Sequence, residues 1–318
     1  MVEYIARRLL LTIPTLLGVS IILFVLVRVL PGDAALVKAG EALTGATDEA
    51  TLNAMRQQMG LDKPIEVQYG LWLGKLLRGD LGVSLRSGER TLGELINRLP
   101  VTLELAIGSS LVSVIVGLLL GVIAAVYQDR PLDYFARLFG VLGLSVPSFW
   151  LGTLLIIVPA VTIGYMPPLS YVSPFQDLAT NVRQFLAPCL ALGWALSASV
   201  MRMTRSQMLE VLRDDYIRTA RAKGLRGTQV LFRHALKNAL IPVITITGVQ
   251  VGFLLGGTVV VEQVYGLPGV GMGTLDAVML RDYPIIQTNV LFLTVAFVFI
   301  NLVVDLAYGW LDPRVRYA

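Results

Sequence analysis

Six apolar runs, most of them about twenty residues or longer, recur along this chain, and a run of that length spans the hydrocarbon core of a bilayer when it coils as an α-helix. They fall at Leu9–Leu30, Val101–Tyr127, Leu138–Ile163, Phe185–Val200, Ile241–Val261 and Ile285–Ala307, the fourth being the shortest. A backbone in lipid has no water to bond, so it must be a helix or a closed barrel. The runs are continuous rather than alternating, which excludes a transmembrane β-barrel. Charged residues make up 15% of the chain, against roughly 25% in a soluble domain. The expected fold is an all-α polytopic membrane protein with six transmembrane helices.

The first run begins like a signal peptide, after Arg7 and Arg8. It is too long for one, and no small-residue cleavage site follows, so it is read as a span. Arg28 and Glu104 sit near span ends, where a long side chain reaches the interface. Lys and Arg near span ends set orientation. Arg7 and Arg8, Arg130 and Arg137, nine residues between Arg202 and Lys237, and Arg314 and Arg316 all fall on one side when the N-terminus is inside. The short outer loops carry only Arg183 and Arg281. Both termini are therefore expected to face the cytoplasm. The segment 31–94 reads as a small folded outer subdomain with helical spacing in Leu52, Met55, Met59 and in Val67, Leu71. Turn signals interrupt it at Gly32-Asp33, Gly79-Asp80 and Ser87-Gly88. The expected organisation is a first span at 1–30, this subdomain at 31–94, a five-helix membrane domain at 95–308 with an inner loop at 202–240, and a tail at 309–318.

The inner loop is the most informative stretch. Asp214-Asp215 offers an N-cap, Tyr216–Lys223 follows without a breaker, and Gly224 stands where a left-handed helix stop belongs. Ala220 and Gly224 leave one face shallow. A second helix is expected from Thr228, with Phe232, Leu236 and Ala239 on one face. Two readings stand side by side: a basic loop obeying orientation rules, or a short rigid helix that docks into a groove on a soluble partner.

The order of motifs resembles one family. Tyr216-Ile217-Arg218-Thr219-Ala220-Arg221-Ala222-Lys223-Gly224-Leu225, then His234-Ala235-Leu236-Lys237-Asn238-Ala239-Leu240-Ile241-Pro242, is similar to the inner-loop signature of binding-protein-dependent ABC importer permeases. The form is that of the dipeptide, oligopeptide and nickel permeases. Leu30-Pro31-Gly32-Asp33, Gly79-Asp80-Leu81-Gly82, Ser145-Val146-Pro147, Leu267-Pro268-Gly269-Val270-Gly271 and Arg281-Asp282-Tyr283-Pro284 extend the likeness over nearly the whole chain. The resemblance implies a type I importer fold with a periplasmic subdomain, in a bacterial inner membrane. Its partners would be a paralogous permease, two ATPase subunits and a substrate-binding protein. Tyr216–Leu225 would then be the helix that couples to an ATPase. One departure is that the general Glu-Ala-Ala triplet is Arg218-Thr219-Ala220 here. Short peptides, including glutathione-like ones, are the implied cargo, with nickel chelates and oligosaccharides as alternatives.

The remaining features are weighed against plain packing. Gly248, Gly252 and Gly256, and Gly117 with Gly121, form small-xxx-small patterns suited to close helix approach. Pro147 and Pro159 should kink the third span. The glycine-rich 266–273 lacks the Lys-Ser/Thr of a phosphate loop, and no Walker A motif occurs, so no cofactor is expected and ATP would be bound by the partners. Glu262 and Asp305 are acids at span ends, for which pairing with Arg281 or an inner-loop Arg is expected. His234 is the single histidine and Cys189 the single cysteine. The first is no metal site, and the second reads as a small packing residue. No catalytic constellation is present. The rival class, a proton-driven secondary transporter, would need midplane acids and inverted repeats, and neither is evident.

Overall fold

The computed structural model describes residues 2–29, 49–58, 60–168 and 170–311. Leu30-Pro31-Gly32-Asp33, Met59, Arg314 and Arg316 lie outside them. The chain runs α1 (Val2–Val29), α2 (Glu49–Gln58), α3 (Ile65–Leu77), α4 (Thr91–Val126), α5 (Pro131–Ser145), α6 (Ser148–Ile163), α7 (Leu178–Val211) and α8 (Asp215–Ala222). A single turn, Gly227–Gln229, then leads through a π-helical segment, Val230–Leu236, into α9 (Lys237–Gly257). The last helices are α10 (Val259–Tyr265), α11 (Val270–Leu280) and α12 (Tyr283–Leu311). Among the described residues the β-structure is one isolated bridge, Val83 to Arg90.

Among the described residues five helices are long and apolar enough to cross a bilayer, and α5 with α6 makes a sixth span if the bent pair is counted as one. The third expected span is thus not a kinked helix but two helices meeting at 100°. The break falls at Val146, which is extended (ψ 121°) as a residue before proline must be. Pro159, by contrast, sits inside α6 without ending it. The shortest expected span became a 34-residue helix, α7. Its apolar stretch was masked by flanking polar residues that continue the same helix. Asp177 starts it, accepting from the main-chain N–H groups of Ala179 and Thr180 at 3.0 and 3.2 Å. These bonds, with the Thr180 hydroxyl foremost, hold the Asp177 carboxyl below its usual range. Helix α4 begins ten residues before the expected span, because Pro100 is accommodated inside it.

The chain divides into two compact units: Met1–Ile5 with Leu103–Leu267 and Phe297–Ala318, and Ala6–Thr102 with Pro268–Ala296. In the first unit α7 is the central helix. Its apolar window is 61% buried, against 17–33% for the other long spans, and α5, α6 and α9 all pack on it. Small residues make that possible. A Cβ placed on Gly117 would stand 2.6 Å from Val200, and one on Gly121 2.6 Å from Thr204. In the opposite sense, a Cβ on Gly193 would meet Val112 at 2.6 Å. Helices α4 and α7 therefore interlock glycine against branched side chain in both directions. Cys189 fills the notch above Gly108 in the same seam.

In the second unit, α3 lies on α1. Tyr69 and Trp72 gather around Phe24 with ring centroids 5.5 and 5.6 Å away, and Ser20 and Tyr69 share a 2.8 Å hydroxyl contact. Val67 and Leu71, which have the helical spacing, are about half exposed; the face that packs is the one carrying the larger aromatic area.

Candidate functional site

The short helix α8 stands on a base made by four other segments of its unit. Ile217 is fully buried and Ala220 nearly so, packed with Ala125 at the end of α4, Met208 and Val211 of α7, and Val230, Ala235 and Ala239 beyond the turn. Two inward residues three apart, one small, let the helix lie flat on that base. Ala220 is thus part of the buried face, not of a shallow outer one. Asp214 is the N-cap by backbone shape alone: its carbonyl accepts from Ile217 and Arg218, while its side chain makes no capping bond. The other end closes as the glycine spacing requires. Gly224 has φ +75°, its N–H donates to Arg221 at 3.0 Å, and the Leu225 N–H donates to Ala220 at 3.4 Å. This double bond pattern around a left-handed residue is the Schellman stop.

With Ile217 and Ala220 turned in, Tyr216, Arg218, Thr219, Arg221, Ala222, Lys223, Gly224 and Leu225 are exposed. Arg218 is tied only loosely, to Asp215 at 3.1 Å on the open surface, a pair worth under about 1 kcal/mol. Tyr216 is fixed more firmly by Asn238, whose amide donates to its hydroxyl at 2.7 Å. The segment after the turn is π-helical, and its buried residues, Val230 and Ala235, are spaced five apart, with Ala239 of α9 following four residues on. That spacing turns Phe232 outward, 59% exposed, where an α-helical register placed it on one face with Leu236 and Ala239.

The glycine row of α9 divides. A Cβ on Gly248 would collide with Val304, and one on Gly252 would press on Phe297 at 3.0 Å, whereas Gly256 has nothing within 4 Å. Packing against α12 therefore involves the first two, not all three.

The model for binding-protein-dependent transport system inner membrane components matches residues 117–317. This chain belongs to that family. A companion model for the N-terminal part of such membrane components matches residues 1–106 of the permease. The permease is 42% identical, over the full length of both chains, to the glutathione transport system permease protein GsiC of Escherichia coli O6:H1. It is 41% identical to the proteins of that name from E. coli K12 and Salmonella typhimurium, again end to end. Among solved structures it resembles the MetNI methionine ABC transporter in an inward-facing form (TM-score 0.55, 18% identity, covering 70% of this chain and 97% of that one). An amino acid ABC transporter crystallised with histidines is similar (TM-score 0.52, 17% identity, 68% and 94%). At such identities the structures speak for the fold alone. The permease is thus an inner-membrane transport component of an ABC importer.

Two clusters in this permease escaped the reading of its sequence. In the first unit, Glu104 is the acceptor of two side-chain hydrogen bonds. Tyr171 donates to it at 2.6 Å and Asn181 at 2.7 Å, so the loop after α6 is pinned to α4 and α7. Burial first, and then the Glu104 carboxylate, push the Tyr171 hydroxyl up to about 12. Glu262, also buried, accepts from Thr258 at 2.8 Å. In the second unit, residues of three family-like motifs each bond a residue far away in sequence. Ser84 donates to Asp282 at 2.5 Å, and the Leu85 N–H does so at 3.2 Å. Thr288 bonds Thr91 and the Leu81 carbonyl, and Thr102 accepts from the Val270 N–H at 2.8 Å. The bonded residues are 168 to 207 positions apart in sequence, so no local spacing rule could have joined them. Among the described residues no cluster of His, Cys, Asp or Glu could hold a metal ion.

Proposed function

We propose that this permease forms half of a translocation pathway for di- or oligopeptides, glutathione-like ones included, and that Tyr216–Leu225 is the docking surface for an ATPase subunit. The observation that carries the reading is the division of labour within α8. Ile217 and Ala220 fix it to the base, while Tyr216, Arg218, Arg221, Lys223 and Leu225 are offered outward. A helix so anchored passes on a push, which a solvated loop cannot do. Full-length likeness to permeases named for glutathione transport supports the cargo class. In this reading α8 is cytoplasmic, as are both termini, in agreement with the Lys and Arg distribution. The organisation into 1–30, a periplasmic subdomain at 31–94, a membrane domain at 95–308 with the coupling loop 202–240, and a tail at 309–318 belongs to the same proposal. A paralogous permease completes the pathway, two ATPase subunits bind and hydrolyse ATP, and a substrate-binding protein docks outside. This chain carries no cofactor. Rigid-body rocking of the two halves gives alternating access.

Gly224 and Ala220 are poor places to test docking, since one needs a positive φ and the other is buried. Ala222 is exposed. Ala222→Trp is expected to leave insertion and thermal stability unchanged while uptake of glutathione or a dipeptide in cells falls at least tenfold. Wild-type uptake from that variant would count against the docking surface.

A further inference from the structure

Beside the base of α8, a bidentate ion pair ties α5 to α7. Asp133, the third residue of α5, has no exposed surface. Arg205 grips it with two parallel donors, Nε to Oδ1 and Nη2 to Oδ2, each at 2.8 Å. The N–H of Asp129, itself at φ +58°, donates to Oδ2 at 3.0 Å, and Arg137 Nε lies 3.2 Å from Oδ1. A buried ion pair adds little stability, since well-packed apolar residues of the same volume often do as well or better. What a bidentate fork supplies is a fixed geometry between the two helices it joins.

Its position gives that geometry a use. Arg205 is one turn before Met208, which is fully buried in the cluster holding Ile217 and Ala220. Ala125, at the end of α4, belongs to the same cluster and connects to Asp133 through the turn closed by the Arg130 N–H on Tyr127. Two short, rigid routes therefore run from α8 to the start of α5, and α5 ends at the 100° break before Pro147. We infer that Asp133 and Arg205 are a positioning pair, which makes α5, the near half of the broken helix, follow α8 when α8 is moved. The inference rests on the docking reading of α8.

The test uses the assembled importer in liposomes with its binding protein, and two readouts. Stimulation of ATP hydrolysis by the binding protein reports coupling. A photo-crosslinking residue at Arg221 reports whether α8 touches an ATPase subunit. The double variant Asp133→Leu/Arg205→Met replaces both charges with apolar side chains and discards the fork. It is expected to assemble and melt like wild type and to crosslink as before, yet to lose at least fivefold in stimulation. Arg205→Lys, which keeps the charge alone, is expected to lose two- to threefold and serves should the double variant not assemble. Unchanged stimulation with an intact crosslink overturns the positioning pair and leaves the docking reading standing. No crosslink to an ATPase subunit in the wild-type background overturns the docking reading, and the pair with it.

Discussion

The seam between α4 and α7 and the motif cluster of the second unit are held together by opposite chemistry. Along the seam, glycine faces Val200, Thr204, Val112 or Cys189, and the backbones approach as closely as the missing Cβ atoms allow. In the cluster, Ser84, Thr91, Thr102, Asp282 and Thr288 are all buried, and each is hydrogen-bonded to a partner far away in sequence. The difference follows from the surroundings. Lipid offers apolar helices no hydrophobic reward for associating, so contact has to come from close shape matching. Where the backbone leaves helical geometry, buried carbonyls and N–H groups must be paired, and side chains do the pairing.

The comparison can be broken at several points. The largest effect is expected on the seam. Gly117→Leu puts a branched side chain where even a Cβ would stand 2.6 Å from Val200, and overpacking of a tight core costs about 1–3 kcal/mol or more. Loss of the folded permease on size-exclusion in detergent is the expected result. A stable Gly117→Leu protein would mean that the seam is looser than its glycines imply. Next comes Asp282→Ala, which strips Ser84 and the Leu85 N–H of their acceptor. An orphaned buried donor costs about 1–3 kcal/mol, to be read as a lowered melting temperature with the permease still assembled. The smallest effect sharpens the rule: at Gly256, with open space around it, alanine should be neutral or stabilise α9 by up to about 1 kcal/mol. The same change at Gly248, facing Val304, should destabilise.

Much of this was legible in the sequence, and the gaps have physical causes. The spans were visible because lipid forces apolar runs, but helix ends were not. Helices α4 and α7 continue past the apolar region through Pro100 and through Arg202–Val211, where hydropathy no longer marks them. Pro147 announced a bend, yet a proline fixes only its own φ and the residue before it; the 100° angle depends on what α5 and α6 each pack against. Gly224 was readable as a stop because few other residues accept φ near +75°. Ala220 and Phe232 changed faces, one because the cluster below α8 was invisible in one dimension, the other because the register there is π rather than α. Arg205 looked like one more orientation charge among its neighbours. Only its bidentate grip on Asp133, 72 residues away, separates it from Arg202 and Arg213.

By itself the sequence determined that this chain lives in a membrane as helices, which loop carries the short glycine-stopped helix, and which family it belongs to. These are local properties: run length, a left-handed stop, motifs in order. The tertiary structure decided which side of each helix is buried, which glycines touch a neighbour, and which distant acids and hydroxyls pair. Such choices depend on partners brought close only by folding, and contact energies of a few kcal/mol leave no mark on the residues next door in sequence.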